Sequence, residues 1–368
     1  MIGQKRTGSR EGGVEVVVTE LAVRMAALGH EVICYDRSGT DVNGKPTPTK
    51  PYEYMGVRVV PVRTANIKGF AALTSAYAAT RAALRDHPDV IHYHAEGPCN
   101  ALPLAARAGV RTVATIHGLD WQRAKWGGLA SRVIKRGERK AAQKADAVIV
   151  LSKAVQDYFH DEYNCEAEFV PNGMDIPELR STSLITERWG LTEDSYILYL
   201  GRIVPEKRPE LLIEVFRGLD TEKRLVVAGG ASDTSGFYEE VRALAECDSR
   251  IVMTDFVEGK ILAELYSNAY CYVLPSDVEG MPMSLLEAMA YGRCCVTSDI
   301  PECADVVTGV GATFLRGDAF ALRDMLAALL ADPSRVAELG IAARNRVKTE
   351  YDWSSTVRRT LEIYSEGM

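Results

Sequence analysis

Short apolar runs alternate with amphipathic stretches along nearly the whole chain. The runs at 31–36, 57–62, 89–93, 111–116, 146–151 and 168–170 read as strands. Several are apolar on both faces, as strands buried in a parallel sheet are. Stretches at 13–28, 69–86 and 100–108 read as the helices between them. The first opens after a glycine pair and stops at Gly29. The rhythm breaks after Pro171-Asn172-Gly173 and restarts with Tyr196-Ile197-Leu198-Tyr199-Leu200. Strands at 224–228, 250–254, 270–274 and 294–297 follow, then helices at 320–330, 334–347 and 353–364. Strand–helix units repeated at this spacing specify an α/β protein with two Rossmann-like, doubly wound domains. The boundaries fall at 1–175, a linker over 176–193 with one short helix, 194–350, and a last segment over 351–368.

Two stretches depart from the rhythm. Met1-Ile2-Gly3 reads as the end of a strand, so further residues of a first strand are expected upstream. A sheet lacking them would be weak at its centre. The Gly/Pro/Thr-rich stretch 38–51 reads as a surface loop.

Composition narrows the class. A chain of 368 residues has room for two domains of ordinary size. No apolar run approaches the roughly 20 residues that cross a bilayer, and no signal peptide is read at the start, so a cytoplasmic protein is expected. The eight cysteines lack metal-ligand spacing, and Cys34, Cys271, Cys294 and Cys295 sit in apolar runs. Buried free thiols in a reducing compartment follow. The net charge of −7 conceals an asymmetry: residues 1–175 carry 23 Lys/Arg against 19 Asp/Glu, and residues 176–368 carry 20 against 31. An anionic surface or substrate therefore suits the first half only, and no nucleic-acid motif accompanies the charge.

The chemistry concentrates in 275–292, PSDVEGMPMSLLEAMAYG. Glu279 lies in the loop after an apolar strand, and Glu287 lies about one turn into the next helix. Gly280, Met281 and Pro282 lie between them, near a helix N-terminus that suits a phosphate or polar ligand. The segment thus offers an acid for sugar hydroxyls, open amides and a second acid for a ribose. The plain alternative is a capped helix with two solvated glutamates. Arg202 and Lys207 leave the first strand of the second domain together, and two cations there could hold a diphosphate. His117 follows a strand of the first domain, where open α/β sheets bind ligands. His92 and His94 end the preceding strand; their alternation assigns one of them to the core. Gly12-Gly13 at the first helix is a candidate phosphate turn, or a tight turn only. From Trp121 to Lys144 there are eight Lys/Arg and one acid, Glu138. Trp121 and Trp126 interleave with Lys125, Arg132, Lys135, Arg136, Arg139 and Lys140. That pattern fits a face laid on an anionic membrane, or a solvated helix with an apolar underside.

The combination of Gly12-Gly13, His117, Gly201-Arg202…Lys207 and Glu279-x7-Glu287 resembles family-4 retaining glycosyltransferases of the GT-B fold, over almost the whole chain. That resemblance implies two Rossmann-like domains facing across a cleft, with the C-terminal helix crossing back to the first domain. It implies transfer of a sugar from a nucleotide-sugar donor with retention, without metal or cofactor. Arg202 and Lys207 would bind the diphosphate, Glu279 the sugar hydroxyls and Glu287 the ribose. His117 would contact the sugar or the reacting centre, with the amides of Gly280, Met281 and Pro282 beside the sugar. A narrower similarity joins Arg10-Glu11-Gly12-Gly13-Val14-Glu15 and His117-Gly118-Leu119-Asp120-Trp121…Lys125-Trp126. It is to a bacterial subgroup that includes rhamnosyltransferases of surface-polysaccharide assembly, which implies rhamnose as the first sugar to consider and a saccharide or lipid-linked acceptor. The competing readings are a nucleotide-sugar 2-epimerase on the same fold and a non-catalytic nucleotide-sugar-binding scaffold.

Overall fold

The structure is a computed structural model that describes residues 1–40, 45–65, 71–122, 128–230 and 235–366. It divides into two compact units: Met1–Gly173 with Trp353–Met368, and Met174–Asp352.

In the first unit the strands are β1 (Ile33–Arg37), β2 (Tyr52–Tyr54), β3 (Val57–Val62), β4 (Val90–His94), β5 (Arg111–Ile116), β6 (Ala147–Val150) and β7 (Glu168–Phe169). Its helices are α1 (Gly13–Ala27), α2 (Ala71–Ala83), α3 (Leu102–Arg107), α4 (Gly128–Lys144) and α5 (Lys153–Tyr163). The strands form two ladders, β1-β3-β2 and β4-β5-β6-β7. Ile2 joins them through parallel bridges to Tyr35 and Tyr93. Its N–H donates to His92 O at 2.9 Å, and its carbonyl accepts from His94 N at 2.8 Å. Ile2 is 1% exposed, in one core with Tyr35, Tyr93 and Ile116. Met1 adds a bond on the β1 side, its carbonyl accepting the Tyr35 N–H at 3.1 Å. Within the described part of the expected loop 38–51, Thr40 bridges Pro46, and β2 follows the loop and pairs antiparallel with β3.

The second unit carries β8 (Tyr196–Leu200), β9 (Arg224–Ala228), β10 (Ile251–Asp255), β11 (Cys271–Leu274), β12 (Cys294–Ser298) and β13 (Ala312–Phe314). Its helices are α6 (Leu184–Trp189), α7 (Pro209–Arg217), α8 (Ser235–Glu246), α9 (Gly259–Asn268), α10 (Met283–Ala290), α11 (Pro301–Val307), α12 (Ala319–Ala331) and α13 (Pro333–Glu350). All paired strands here are parallel, in the order β10-β9-β8-β11-β12-β13. Every residue of β11 and β12 is buried, as the apolar runs require. The segment 176–193 is part of this unit rather than a separate linker. The N–H groups of Ser183 and Ile185 donate to Glu264 Oε2 on α9, at 3.0 and 3.1 Å.

The last helix, α14 (Trp353–Ser365), returns to the first unit. Ile363 packs with Val113, Ile149 and Val170, and Arg359 pairs with Glu168 at 2.8 Å. Gly173 lies against Trp353 so closely that a Cβ on the glycine would stand 2.6 Å from the tryptophan backbone. No described helix is long and apolar enough to cross a membrane.

Candidate active site

The acids and cations of the second unit meet where its strand order reverses, at the ends of the neighbouring strands β8 and β11. Open α/β sheets hold ligands in that crevice. The backbone leaves β8 through Gly201, against Gly229, where a Cβ (φ +156) would fall 1.8 Å from Gly201 O. One 3₁₀ turn, Pro205–Lys207, then brings Lys207 back over the sheet end, and Arg208 closes it in the left-handed region. Lys207 Nζ donates to Glu279 Oε1 at 2.5 Å, and Ser276 Oγ donates to the same oxygen at 2.8 Å. The two charged side chains are only 12% and 8% exposed. Intact, such a pair is close to neutral for stability; removing one partner strands the other at a cost of about 3–5 kcal/mol. Beside it, burial first and then the charges of Glu279 and Glu210 push the Tyr199 phenol well up, while the Arg202 charge opposes them. Arg202, Lys207 and Glu279 thus share one small region.

Glu287 lies half-buried on α10 and accepts the Tyr266 hydroxyl at 3.0 Å. Tyr291 stacks on Tyr266, with centroids 5.3 Å apart. Pro282 leads into α10 with extended backbone and no side-chain cap, so the helix's first-turn N–H groups lack that partner. Gly280, Met281 and Pro282 are buried alongside. The Tyr272 hydroxyl, 3.1 Å from Leu200 O and 2.8 Å from Ser284 Oγ, ties α10 to the end of β8. Tyr266 and Ser276 were not singled out in the sequence. A tyrosine four residues before an apolar strand resembles any core aromatic.

In the first unit the strand ends hold histidine rings. His94 Nδ1 lies 3.1 Å from His117 Nε2. His92 Nδ1 lies 2.6 Å from the Tyr364 hydroxyl and its Nε2 lies 2.7 Å from Thr115 Oγ1. The His92 and His94 rings stand 4.0 Å apart. The expectation that only one of them is core is corrected: residues two apart in a strand share a face, and both are buried. Burial pushes both imidazoles well below their usual range, so they are neutral. Ala95, at φ +70, turns the chain into the fully buried Glu96. Glu96 Oε1 accepts the Asp120 N–H at 2.8 Å, which ties the His117 loop to the end of β4. Burial first, then the Asp120 charge, pushes the Glu96 carboxyl well up.

Gly12 caps α1 with extended backbone and no side-chain bond. Glu15 folds back over it: Oε1 accepts the Lys5 N–H at 2.8 Å, and a Cβ on Gly12 would meet Oε2 at 2.6 Å. The carboxylate beside Gly12 and Gly13 favours a ligand hydroxyl there over a phosphate.

Helix α4 splits its basic residues. Lys135 turns inward, its Nζ 2.6 Å from the Tyr158 hydroxyl and 4.1 Å from the Trp121 ring centre. Trp121 Nε1 donates at 2.9 Å to the fully buried Glu138, which also accepts from Tyr158 and Tyr163. Lys140 Nζ donates to Asn100 O at 2.8 Å. Trp121, Lys135 and Lys140 are thus half-buried and engaged by Glu138, Tyr158 and the carbonyl of Asn100 in the 3₁₀ turn Pro98–Ala101. Arg132, Arg136 and Arg139 are exposed, at i, i+4 and i+7 on one side of the helix. Lys125 and Trp126 lie outside the described residues.

Residues 11–178 match the family model Glycosyltransferase Family 4, and residues 184–346 match Glycosyl transferases group 1. The chain is 29% identical over its full length to D-inositol 3-phosphate glycosyltransferase of Xylanimonas cellulosilytica, covering 94% of that protein. Over 70% of the chain it is 30% identical to alpha-maltose-1-phosphate synthase of Mycolicibacterium smegmatis, covering 73% of it. These relatives are inositol-phosphate and maltose-1-phosphate enzymes, which corrects the narrower similarity to rhamnosyltransferases. Among solved structures, sucrose-phosphate synthase of Thermosynechococcus elongatus superposes with a TM-score of 0.82 at 22% identity, over 96% of this chain and 93% of that one. WaaG, a glycosyltransferase involved in lipopolysaccharide biosynthesis, superposes at 0.77 with 18% identity, over 98% of each chain. The chain belongs to the glycosyltransferases of GT-B fold, a family 4 half joined to a group 1 half.

Proposed function

We propose that the protein transfers a hexosyl group from a nucleotide-diphosphate sugar to a saccharide or lipid-linked saccharide acceptor, with retention and without metal. The observation that carries this reading is the Lys207–Glu279 pair at the β8–β11 switch point, with Arg202 beside it. Arg202 and Lys207 neutralise the diphosphate and the charge that develops on it as it departs, the role of a preorganised electrostatic site. On binding, the diphosphate takes Lys207 partly from Glu279, whose carboxylate turns to the sugar hydroxyls. Glu287 holds the ribose, oriented by Tyr266, and the Gly280-Met281-Pro282 turn lies along the sugar. His117 addresses the sugar at the reacting centre. Gly12 and Gly13 offer backbone to a hydroxyl of the sugar or acceptor. The acceptor attacks from the face the diphosphate leaves, and the departing diphosphate takes the acceptor's proton. The HepE structure in complex with UDP-glucose, which this fold matches at a TM-score of 0.78, supports a nucleotide-sugar donor. The exposed Arg132, Arg136 and Arg139 would seat the first unit on anionic lipid at the inner face of the plasma membrane, where a lipid-linked acceptor lies.

A thermal-shift panel of UDP, dTDP, GDP and ADP tests the donor site. A nucleotide at 100 times its Kd adds about 2.7 kcal/mol, a readily seen shift. A cooperative melt unmoved by all four rejects the reading. Conversion of a nucleotide-sugar to its epimer without acceptor rejects transfer. Loss of activity in chelator, restored by Mg²⁺ or Mn²⁺, rejects the metal-free mechanism.

A further inference from the structure

We infer that Arg208 is a positioning residue of the donor site: through Asp277 it ties the turn that carries Lys207 to the loop that carries Glu279, and it keeps that loop in place when a diphosphate draws Lys207 away. The inference rests on the roles proposed for Lys207 and Glu279, but its first test does not.

The turn and the loop leave the neighbouring parallel strands β8 and β11. Contacts at Glu206, Lys207 and Arg208 join them. The Asp277 N–H donates to Glu206 O at 2.8 Å. Lys207 Nζ donates to Glu279 Oε1 at 2.5 Å, and Arg208 Nη1 donates to Asp277 Oδ2 at 3.3 Å. From the side of β12, the Ser298 hydroxyl donates to Ser276 O, and the Ser276 hydroxyl donates to Glu279 Oε1 at 2.8 Å. A bound diphosphate competes for Lys207. It does not compete for Asp277, so the contacts there span the two segments throughout the exchange. Arg208 is itself kept from the ligand by two carboxylates: its Nε also lies 2.7 Å from Glu210 Oε1. Its charge is offset, and the diphosphate is left to Arg202 and Lys207.

Stability does not account for an arginine at this position. The backbone of Arg208 lies at φ +51 and ψ +41, in the left-handed region, where glycine sits without strain and a residue with a Cβ does not. The side chains of Arg208, Asp277 and Glu210 are 34%, 31% and 23% exposed, and ion pairs this open to water contribute little to folding. A glycine at 208 would therefore be at least as stable. What the arginine adds is a cross-tie. Its planar fork meets Glu210 in the first turn of α7 and Asp277 on the other segment, each with a different nitrogen. Glu210 orients the guanidinium, and Asp277 receives it two residues before Glu279.

Amide hydrogen exchange read by mass spectrometry tests the tie with no substrate present, in the wild-type protein, Arg208→Gly and Asp277→Ala. Peptides across 275–282 should exchange about tenfold faster in both variants, as local opening becomes easier, while peptides over β8 and β11 keep their rates. The melting temperature of Arg208→Gly should hold or rise. Unchanged exchange across 275–282 overturns the inference. So does a melting temperature that falls with exchange quickened across the whole unit, which would make Arg208 a folding contact only. In turnover, Arg208→Gly should lower kcat about tenfold, the worth of one charge-assisted hydrogen bond. Calorimetric affinity for whichever of UDP, dTDP, GDP and ADP shifts the melt should stay as it was. Adding Asp277→Ala to Arg208→Gly should cost nothing more, because both remove the same tie, and additive losses overturn the inference. Arg208→Lys, which keeps the charge without the fork, should restore part of the rate. Faster exchange with kcat unchanged overturns the positioning role through the place proposed for Glu279 at the sugar, and leaves the tie itself standing.

Discussion

The two units share a doubly wound plan, yet their strand ends are made of opposite materials. At the β8–β11 switch, Lys207, Glu279 and Arg202 bring formal charges together in partial burial. At the ends of β4 and β5, His117 meets the buried neutral His94 with the neutral His92 behind it, and the Glu96 carboxyl, pushed towards its neutral form, holds the Asp120 N–H. Charge suits a diphosphate that gains charge as it leaves. Neutral, fixed donors suit a sugar whose hydroxyls must be oriented without competing for protons. The comparison makes an ordered claim: losing a charge from the second unit should cost more than losing a ring from the first. Lys207→Ala should lower kcat/KM by about 10²–10³, as loss of preorganised charge stabilisation does. His117→Ala should cost about tenfold, one neutral hydrogen bond. Equal losses would break the contrast. Because Lys207→Ala strands Glu279 (8% exposed), the pair Lys207→Met with Glu279→Gln separates stability from rate. It should regain the melting temperature and not the activity.

Helix α4 concentrates basic charge in the first unit. Arg132, Arg136 and Arg139 are its exposed row, while Lys135 and Lys140 are spent internally. Replacing the three arginines with glutamine should weaken sedimentation with anionic vesicles by about 100-fold, at about 1 kcal/mol for each charge. Transfer to a soluble acceptor should be unchanged. Replacing Lys135 alone should lower stability and leave vesicle binding as it was. The reverse pattern would show that the inward residues carry the lipid contact.

Within the second unit the smaller contribution is Glu287. Its bond from Tyr266 orients it without cancelling its charge. Glu287→Ala should weaken binding of the effective nucleotide by about 10–100-fold, the range for a charged hydrogen bond, and Tyr266→Phe by less. Calorimetry with the nucleoside diphosphate reads both. An unchanged affinity in Glu287→Ala would move the ribose elsewhere.

The same contrast explains what the sequence discloses. In the second unit the strand period, the loop position of Glu279 and the helical position of Glu287 are all local, and β8 and β11 fall within a residue or two of the expected ranges. Charges at strand ends are conspicuous because little else there is charged. The first unit depends on long-range meetings. His92 meets Tyr364 across 272 residues, and Trp121 meets Glu138 and Tyr158 by tertiary packing. Spacing along α4 gave equal standing to Lys135 and Arg136, and only the buried Glu138 separates them. Met1-Ile2-Gly3 reads as the end of a strand, and the bridges of Ile2 to Tyr35 and Tyr93 place it between the two ladders. The histidine stack could have been suspected from period two, which places His92 and His94 on one face.

Glu96 offers the gentlest way to test whether the first unit's strand ends are neutral by construction. Its buried carboxyl is pushed up by desolvation and then by Asp120, so the folded chain retains a proton that the unfolded chain releases at ordinary carboxylate pH. The sign follows from that difference. Stability is complete below the unfolded pKa and is lost as pH rises through the window up to the folded value, by at most about 1.4 kcal/mol per pH unit. Gln at this position copies the protonated acid and can still accept the Asp120 N–H. Glu96→Gln should therefore match the wild-type melting temperature near the unfolded carboxylate pKa and exceed it progressively towards neutral pH, by about 3–5 °C for each unit crossed. A constant difference across that range would mean that Glu96 is charged in the folded protein. The first unit would then hold a buried anion at the end of β4, and the contrast between its neutral strand ends and the charged ones of the second unit would fall.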